Sequence, residues 1–122
     1  MALVRLSDSA QADIVSLLAW SESHFGEIVR QRYEVLLATA LRDIAADPER
    51  AGSVDRPELG PGVRSFHLRH SRDRARDRDG FIRQPRHFLL YRALLPDLIG
   101  IGRVLHDAMD VEQHLPPDYG SE

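Results

Sequence analysis

Histidine and arginine side chains that could do chemistry together are concentrated in the middle of this sequence. Residues 63–107, the basic block, carry ten arginines against five acidic residues. The block also holds four of the six histidines, namely His67, His70, His87 and His106. Histidine takes up and releases protons near neutral pH, and arginine holds phosphate or carboxylate groups through its planar fork. The basic block therefore offers the residue types for binding an anion and for moving a proton beside it.

The segments on either side of the basic block have the opposite charge. Residues 1–62 carry six arginines against ten acidic residues, and residues 108–122 carry four acidic residues and no arginine. The whole chain therefore has a net charge of −3 although its middle is basic. Such an asymmetry indicates an anionic partner for the basic block.

Within the basic block, the stretch "RHSRDRARDRDG" (residues 69–80) alternates arginine with aspartate. A helix would place like charges four residues apart, which disfavours helical structure. An extended chain would instead place Arg72, Arg74, Arg76 and Arg78 on one face. Its five arginines and three aspartates leave little net charge, and Ala75 is its one apolar side chain. The sequence favours a solvated loop that folding does not require, with a contact surface as the alternative.

Several classes of site and protein are disfavoured. The absence of cysteine excludes disulfides and thiolate metal sites. His67 and His70 would face opposite sides of a strand, and no two histidines have the spacing of a helical metal site. No apolar run reaches the roughly 20 residues of a membrane span, and the N-terminus lacks the apolar stretch of a signal peptide. We therefore expect a cytoplasmic protein with no metal, no cofactor and no membrane association.

The apolar periodicity predicts the elements that must position these side chains. A first helix begins at a capping box of Asp8 and Gln11, with Ser7 as the alternative cap, and ends at Gly26. A second helix runs to the "DP" at residues 47–48. The predicted order is a strand at 2–6, the two helices, a Pro/Gly-rich loop at 48–62, and strands at 63–70, 86–95 and 98–106.

This order, β-α-α-β-β-β, predicts an α+β fold in which an antiparallel helical hairpin packs on a small, largely antiparallel sheet. The length favours one domain at residues 1–115 with a short C-terminal tail at 116–122. The predicted core consists of Leu17, Leu18, Tyr33, Leu36, Leu37, Phe66, Phe88 and Leu90.

Three motifs, by their order and spacing, resemble the ParE branch of the RelE/ParE toxin superfamily: "LGPGVRSFHL", "PRHFLLYR" and "RVLHDAMD". The lead-in "SDSAQADI…SESHFG…RYEVLL" also resembles that family's helical hairpin. The likeness covers roughly residues 3–115. It implies a β-α-α-β-β-β toxin of a type II toxin–antitoxin pair that acts on DNA gyrase. Its implied partner is a ParD-like antitoxin, which is a ribbon-helix-helix dimer. The resemblance implies that operator DNA is bound only by the antitoxin and not directly by the toxin.

The resemblance also assigns residues. The family's arginine after the glycine-bearing loop corresponds to Arg64, the "YR" end of the central strand to Tyr91 and Arg92, and the "R-x-L-H-x-x-x-D" motif to Arg103, Leu105, His106 and Asp110. The candidates for binding the target or the antitoxin are Arg64, Arg69, Arg86, Tyr91, Arg92, Arg103 and His106. The segment at residues 71–85 is longer than in many relatives, and the resemblance does not explain it.

The RelE relatives suggest an alternative function, a ribosome-dependent mRNA endonuclease. Attack by a 2′-hydroxyl on the adjacent phosphate needs a base, an acid and cations. The candidates for these roles are His67, His106, Arg64 and Arg103. A structural interpretation competes with this one, in which Arg64 and Arg103 anchor carboxylates and His106 caps a backbone carbonyl.

The C-terminus favours the gyrase-binding toxin, which is not an enzyme, over the nuclease. Its last 15 residues are acidic, whereas the mRNA-cleaving relatives are basic there and carry a tyrosine or histidine. Tyr119, in a Pro/Gly-rich tail, matches that pattern poorly. A third alternative is a decayed toxin that only binds its antitoxin.

Overall fold

The computed structural model of the protein describes residues 1–76 and 80–108. The predicted C-terminal tail and Asp110 lie outside the described residues. Within them the chain forms two α-helices and a five-stranded sheet. The elements are β1 (Leu3–Leu6), α1 (Asp8–Phe25), α2 (Glu27–Ala46), β2 (Ser53–Asp55), β3 (Arg64–His67), β4 (His87–Leu95) and β5 (Leu98–His106), with 3₁₀ turns at Pro57–Leu59 and Leu68–Ser71.

The strands lie in the order β1-β5-β4-β3-β2. β1 runs parallel to β5, and every other neighbouring pair is antiparallel. Both helices pack on one face of this mixed sheet. The structure therefore confirms the predicted α+β architecture, a helical hairpin on a largely antiparallel sheet.

Two boundaries differ from the sequence prediction. Ser53–Asp55 forms a short strand inside the segment expected to be a loop, because its backbone pairs with β3. β3 itself ends at His67, although a strand was predicted as far as residue 70. There the His67 ring accepts a hydrogen bond from the backbone N–H of Arg69 at 3.1 Å. This local bond favours a turn over the continued strand.

The residue that caps the start of α1 is Ser7, the alternative cap, rather than Asp8. The Ser7 hydroxyl accepts a hydrogen bond from the N–H of Ala10 at 3.0 Å and donates to the carbonyl of Gly102 at 2.7 Å. The cap therefore also ties the start of α1 to β5. Gly26 alone separates the two helices and adopts a φ of 92°, a conformation that favours glycine.

The core lies on both faces of the sheet, because alternate residues of β4 point in opposite directions. Leu89 and Tyr91 join the cluster beneath the helices. Phe88 and Leu90 join a smaller cluster on the other face, together with Leu59 of the connecting segment. The segment between β2 and β3 thus covers the face that the helices leave open.

The predicted core is confirmed, with one residue less buried than expected. Leu18 is half-buried and packs against the edge of the cluster beneath the helices. The buried members are Leu17, Tyr33, Leu36, Leu37, Phe66, Phe88 and Leu90.

The first part of the arginine–aspartate stretch packs against α2. Ser71 and Ala75 are buried, with exposed fractions of 0% and 8%. The Ser71 hydroxyl donates to the Asp43 carboxylate at 2.6 Å, and the Arg74 guanidinium lies 3.7 Å from the same carboxylate. The expectation of a solvated loop is therefore wrong at Ser71 and Ala75, while residues 73 and 74 are exposed. The expectation that folding does not require this segment stays a prediction. A compact turn here buries two small side chains that no apolar periodicity marks.

We expect Leu37→Ala and Leu90→Ala each to lower the free energy of unfolding by about 2–5 kcal/mol, because each leaves a cavity in a closed cluster. Leu37 is 4% exposed beneath the helices, and Leu90 is 0% exposed on the other face. Val15→Ala is the control, since Val15 is 69% exposed on α1. Urea denaturation measures all three, and a wild-type midpoint for Leu37→Ala or Leu90→Ala would contradict the assigned packing.

Candidate functional site

A groove with a volume of about 730 Å³ lies between the helical hairpin and one end of the sheet. One wall consists of α1 and the first turns of α2. The other consists of the segment before β4, the start of β4 and the end of β5. Its walls are mostly apolar, and four of its polar side chains lie together at one end. The residues that give it this character are Leu17, Trp20, Phe25, Val29, Ile82 and Val104, with Tyr33, Arg86, His87 and His106 at the polar end.

Two large aromatic side chains stand exposed at the rim of the groove. Trp20 is 53% exposed and Phe25 is 63% exposed. Their rings contact each other edge to face, with centroids 5.6 Å apart, and His24 stacks on Trp20 at 4.1 Å. Packed aromatic side chains that remain in water are typical of surfaces that bind a partner.

The polar end of the groove is organised by the Tyr33 hydroxyl. It accepts a hydrogen bond from the backbone N–H of Arg86 at 3.1 Å and lies 2.9 Å from Nδ1 of His87. The hydroxyl therefore links the backbone at Arg86 to the His87 ring and fixes the orientation of that ring. Burial, followed by the nearby His106 ring, lowers the pKa of His87 from 6.5 to about 4. The groove therefore contains a neutral, oriented imidazole.

Asp107 is the common hydrogen-bond acceptor for two further side chains at this end. Its carboxylate accepts hydrogen bonds from the Arg86 guanidinium, with the shortest at 2.9 Å, and from His67 Nε2 at 3.1 Å. The bonds from Arg86, followed by the bond from His67, lower the pKa of Asp107 to about 2. Asp107 is not among the site residues that the sequence predicts. The only available signal was its position directly after His106, at the end of the last strand.

Arg103 is held in the structure by a carboxylate, as the competing interpretation expected. Its Nε lies 2.7 Å from Oδ2 of Asp13 and its Nη2 lies 2.8 Å from Oδ1. Asp13 also accepts the backbone N–H of Val104 at 2.9 Å. The pair attaches α1 to β5.

Arg64 and Tyr91 hold the short strand β2 in place. Arg64 donates to the Ser53 hydroxyl at 2.8 Å rather than to a carboxylate. The Tyr91 hydroxyl donates to the Pro48 carbonyl at 2.6 Å and also contacts the Ser53 hydroxyl. The Tyr91 side chain is 0% exposed, so it supports the fold and does not present a contact surface.

The other candidate binding residues differ in how far they reach solvent. Arg69 and Arg86 are exposed, although Arg86 is also paired with Asp107. His106 is partly exposed, and its Nδ1 accepts the N–H of Ala108 instead of capping a carbonyl. Arg92 is half-buried beside Tyr91.

The four residues suggested for RNA cleavage do not form one site. His67 and His106 both lie near Asp107, at 3.1 and 3.7 Å. Arg64 lies three residues before His67 on β3, about 10 Å away along the strand, and Arg103 is bound to Asp13.

The described residues lack two other kinds of feature. Residues 1–76 and 80–108 contain no cluster of three or more His, Cys, Asp or Glu side chains arranged to hold a metal ion. Neither helix in this part of the chain combines the length and the apolar character that crossing a membrane requires.

Comparison with known proteins agrees with this fold. A family model described as "ParE toxin of type II toxin-antitoxin system, parDE" matches residues 4–111. A solved structure described as "Chromosomal ParDE TA system from P. aeruginosa" is similar, with a TM-score of 0.55 and 15% sequence identity. The alignment covers 87% of this chain and 96% of that chain, and at this identity it supports the fold alone. No curated protein sequence matches the chain.

Because the pKa of His87 is lowered in the folded chain, we expect the free energy of unfolding to fall as the pH is lowered from about 6.5 to about 4. In that window the unfolded chain binds a proton on His87 that the folded chain excludes, so acid favours unfolding. His87→Asn keeps a polar group near Nδ1 that can donate or accept, and it does not titrate, so its melting temperature should fall less over the window. His24→Asn, at an exposed histidine on α1, is the control and should keep the wild-type slope. Equal slopes for His87→Asn and the wild type would contradict the assignment.

Proposed function

The chain belongs to the ParE toxin family of type II toxin–antitoxin systems, and from this premise we propose that it inhibits DNA gyrase and is neutralised by a cognate ParD-like antitoxin. The observation that carries the proposal is the apolar groove beside the helical hairpin, with Trp20 and Phe25 exposed at its rim. Action on gyrase places the protein in the cytoplasm.

The groove suits an amphipathic helix of the antitoxin. Such a helix presents apolar residues at positions i, i+3, i+4 and i+7, and a groove with apolar walls buries that face. The wall side chains Leu17 and Val104 belong to the buried core, whereas Trp20 and Phe25 remain in water until the partner covers them. Aromatic side chains at the centre of an interface commonly contribute most of its binding energy. The antitoxin, a ribbon-helix-helix dimer, then provides the only connection to operator DNA.

The polar end of the groove suits contact with the target or with the antitoxin. Arg69, Arg86 and His106 are the candidate binding residues that reach solvent there or close by. The other four candidates, Arg64, Tyr91, Arg92 and Arg103, lie on the strands beneath, and three of these hold β2 or α1 in position. In this proposal they position the surface instead of touching the partner.

Cleavage of mRNA is the second candidate function, and one observation favours it. The His67 and His106 rings both lie beside Asp107, and the His87 ring lies edge to face with His106 at 5.3 Å. Opposed to this, the two arginines suggested to bind phosphate are engaged elsewhere, Arg64 with Ser53 and Arg103 with Asp13. Gyrase inhibition is therefore the preferred function.

We expect Trp20→Ala and Phe25→Ala to weaken antitoxin binding by about 30-fold each, the loss typical of a central aromatic contact. The melting temperature of the free toxin should stay close to that of the wild type, since both side chains are exposed. Val15→Ala, an exposed apolar position on α1 outside the groove, is the matched control. Calorimetry with the product of the adjacent gene measures the affinities. Wild-type affinity for both aromatic variants would place the antitoxin on another surface.

Induced expression of the wild-type chain separates the possible targets. Inhibition of gyrase predicts growth arrest with DNA breaks in cells and loss of supercoiling by purified gyrase. Codon-specific mRNA cleavage on purified ribosomes, with supercoiling unaffected, would identify the nuclease instead. Tight binding to the antitoxin without growth arrest would identify a decayed toxin.

A further inference from the structure

A second concave surface, the arginine pocket, adjoins the apolar groove. It has a volume of about 440 Å³, and its lining consists of Arg72, Asp73, Arg76, Phe81, Arg83 and Gln84. Gln84 also lines the apolar groove, so the two concave surfaces meet at this residue. Ile82 faces the apolar groove while Phe81 and Arg83 line the arginine pocket. The segment 81–84 is thus the wall that both surfaces share.

We propose that the arginine pocket binds an acidic segment of the same antitoxin polypeptide whose apolar helix occupies the groove. This inference rests on the proposed function and adds to it the chemistry of the partner. An antitoxin chain that fills the groove reaches Gln84, and its next residues meet the arginine pocket without a long linker. The two surfaces together select an apolar helix that continues into aspartate or glutamate residues.

The guanidinium groups of the pocket are held ready for a carboxylate. The Arg76 guanidinium lies 4.2 Å above the centre of the Phe81 ring, a stacking that orients its planar fork. Arg72 donates one N–H to the carbonyl of Arg83 at 2.8 Å, and a guanidinium carries five such donors. Within residues 1–76 and 80–108, no carboxylate lies within ion-pair distance of Arg72 or Arg83. Arginine forks match carboxylates in a bidentate geometry.

The charges favour an acidic peptide over the backbone of a nucleic acid. Among residues 1–76 and 80–108, the pocket lining has three arginines and one aspartate. That aspartate, Asp73, has a side chain that is 83% exposed, and it forms a long ion pair of 3.9 Å with Arg76. Nucleic-acid binding relies on a broad surface that neutralises many phosphates, whereas this pocket is small and the chain has a net charge of −3. A short acidic segment needs only the two or three cations that the pocket provides.

The test compares two double variants with the same net charge. Arg76→Gln with Arg83→Gln removes two cations from the pocket and leaves Arg72 to hold the Arg83 carbonyl. Arg5→Gln with Arg42→Gln removes two exposed arginines on β1 and α2, outside both concave surfaces. Calorimetry and stopped-flow mixing with the purified product of the adjacent gene measure affinity and association rate at about 50 mM and about 500 mM salt.

We expect the pocket variant to bind the antitoxin about tenfold more weakly than the control variant at low salt, mainly through slower association. At high salt the affinities of the two variants should converge.

Equal binding of the two variants at low salt would overturn the inference and leave the proposed function standing. No binding by the wild type would overturn the proposed function and this inference together. A labelled single-stranded RNA or duplex DNA provides the competing probe. If the pocket variant loses affinity for that probe but not for the antitoxin, the pocket is a nucleic-acid site and the inference is wrong.

Discussion

The pair of Asp13 and Arg103 sets the position of α1 on the sheet, and the groove depends on that position. β1 ends at Leu6, opposite Ile101, while β5 continues to His106. Beyond the end of β1, the Asp13 carboxylate takes the N–H of Val104, which a longer strand would have taken. A helix side chain therefore replaces a strand at this edge of β5. Asp13 and Val104 both line the groove, so this contact is part of its wall.

The polar end of the groove shows how polar groups can sit among apolar walls. Buried donors and acceptors are costly unless each has a partner. Here the Tyr33 hydroxyl is hydrogen-bonded to the backbone of Arg86 and to the ring of His87. The Asp107 carboxylate accepts hydrogen bonds from the guanidinium of Arg86 and from the ring of His67. These groups therefore satisfy one another without a bound partner. An incoming helix can cover the walls without first breaking hydrogen bonds there.

The sequence predicts the parts of this fold that follow from local patterns. The helix bounds follow from apolar spacing, Gly26 and Pro48, and the β4–β5 hairpin follows from two apolar runs around Pro96 and Asp97. The parts it misses depend on contacts that no periodic pattern marks. β2 has only three residues in a Pro/Gly-rich segment, and its pairing with β3 gives no periodic signal. Tyr91 matches a family motif, yet its hydroxyl is satisfied by Pro48, 43 residues earlier, so its burial could not be predicted.

The same reasoning explains why the candidate site is only partly readable from sequence. Composition points to a basic block, but it cannot distinguish cations that carboxylates hold from cations that face solvent. Arg103 is held by Asp13 and Arg86 pairs with Asp107, so the polar end of the groove keeps little net charge. Within the part of the chain that the structure describes, positive charge without a carboxylate partner remains at Arg72 and Arg83, on the far side of the 81–84 wall. The apolar groove and the arginine pocket are therefore separate surfaces, although neighbouring residues such as Ile82 and Arg83 contribute to different ones. A partner that satisfies both surfaces must match the apolar groove first and the charge second, since apolar burial supplies most of the affinity and charge mainly guides encounter.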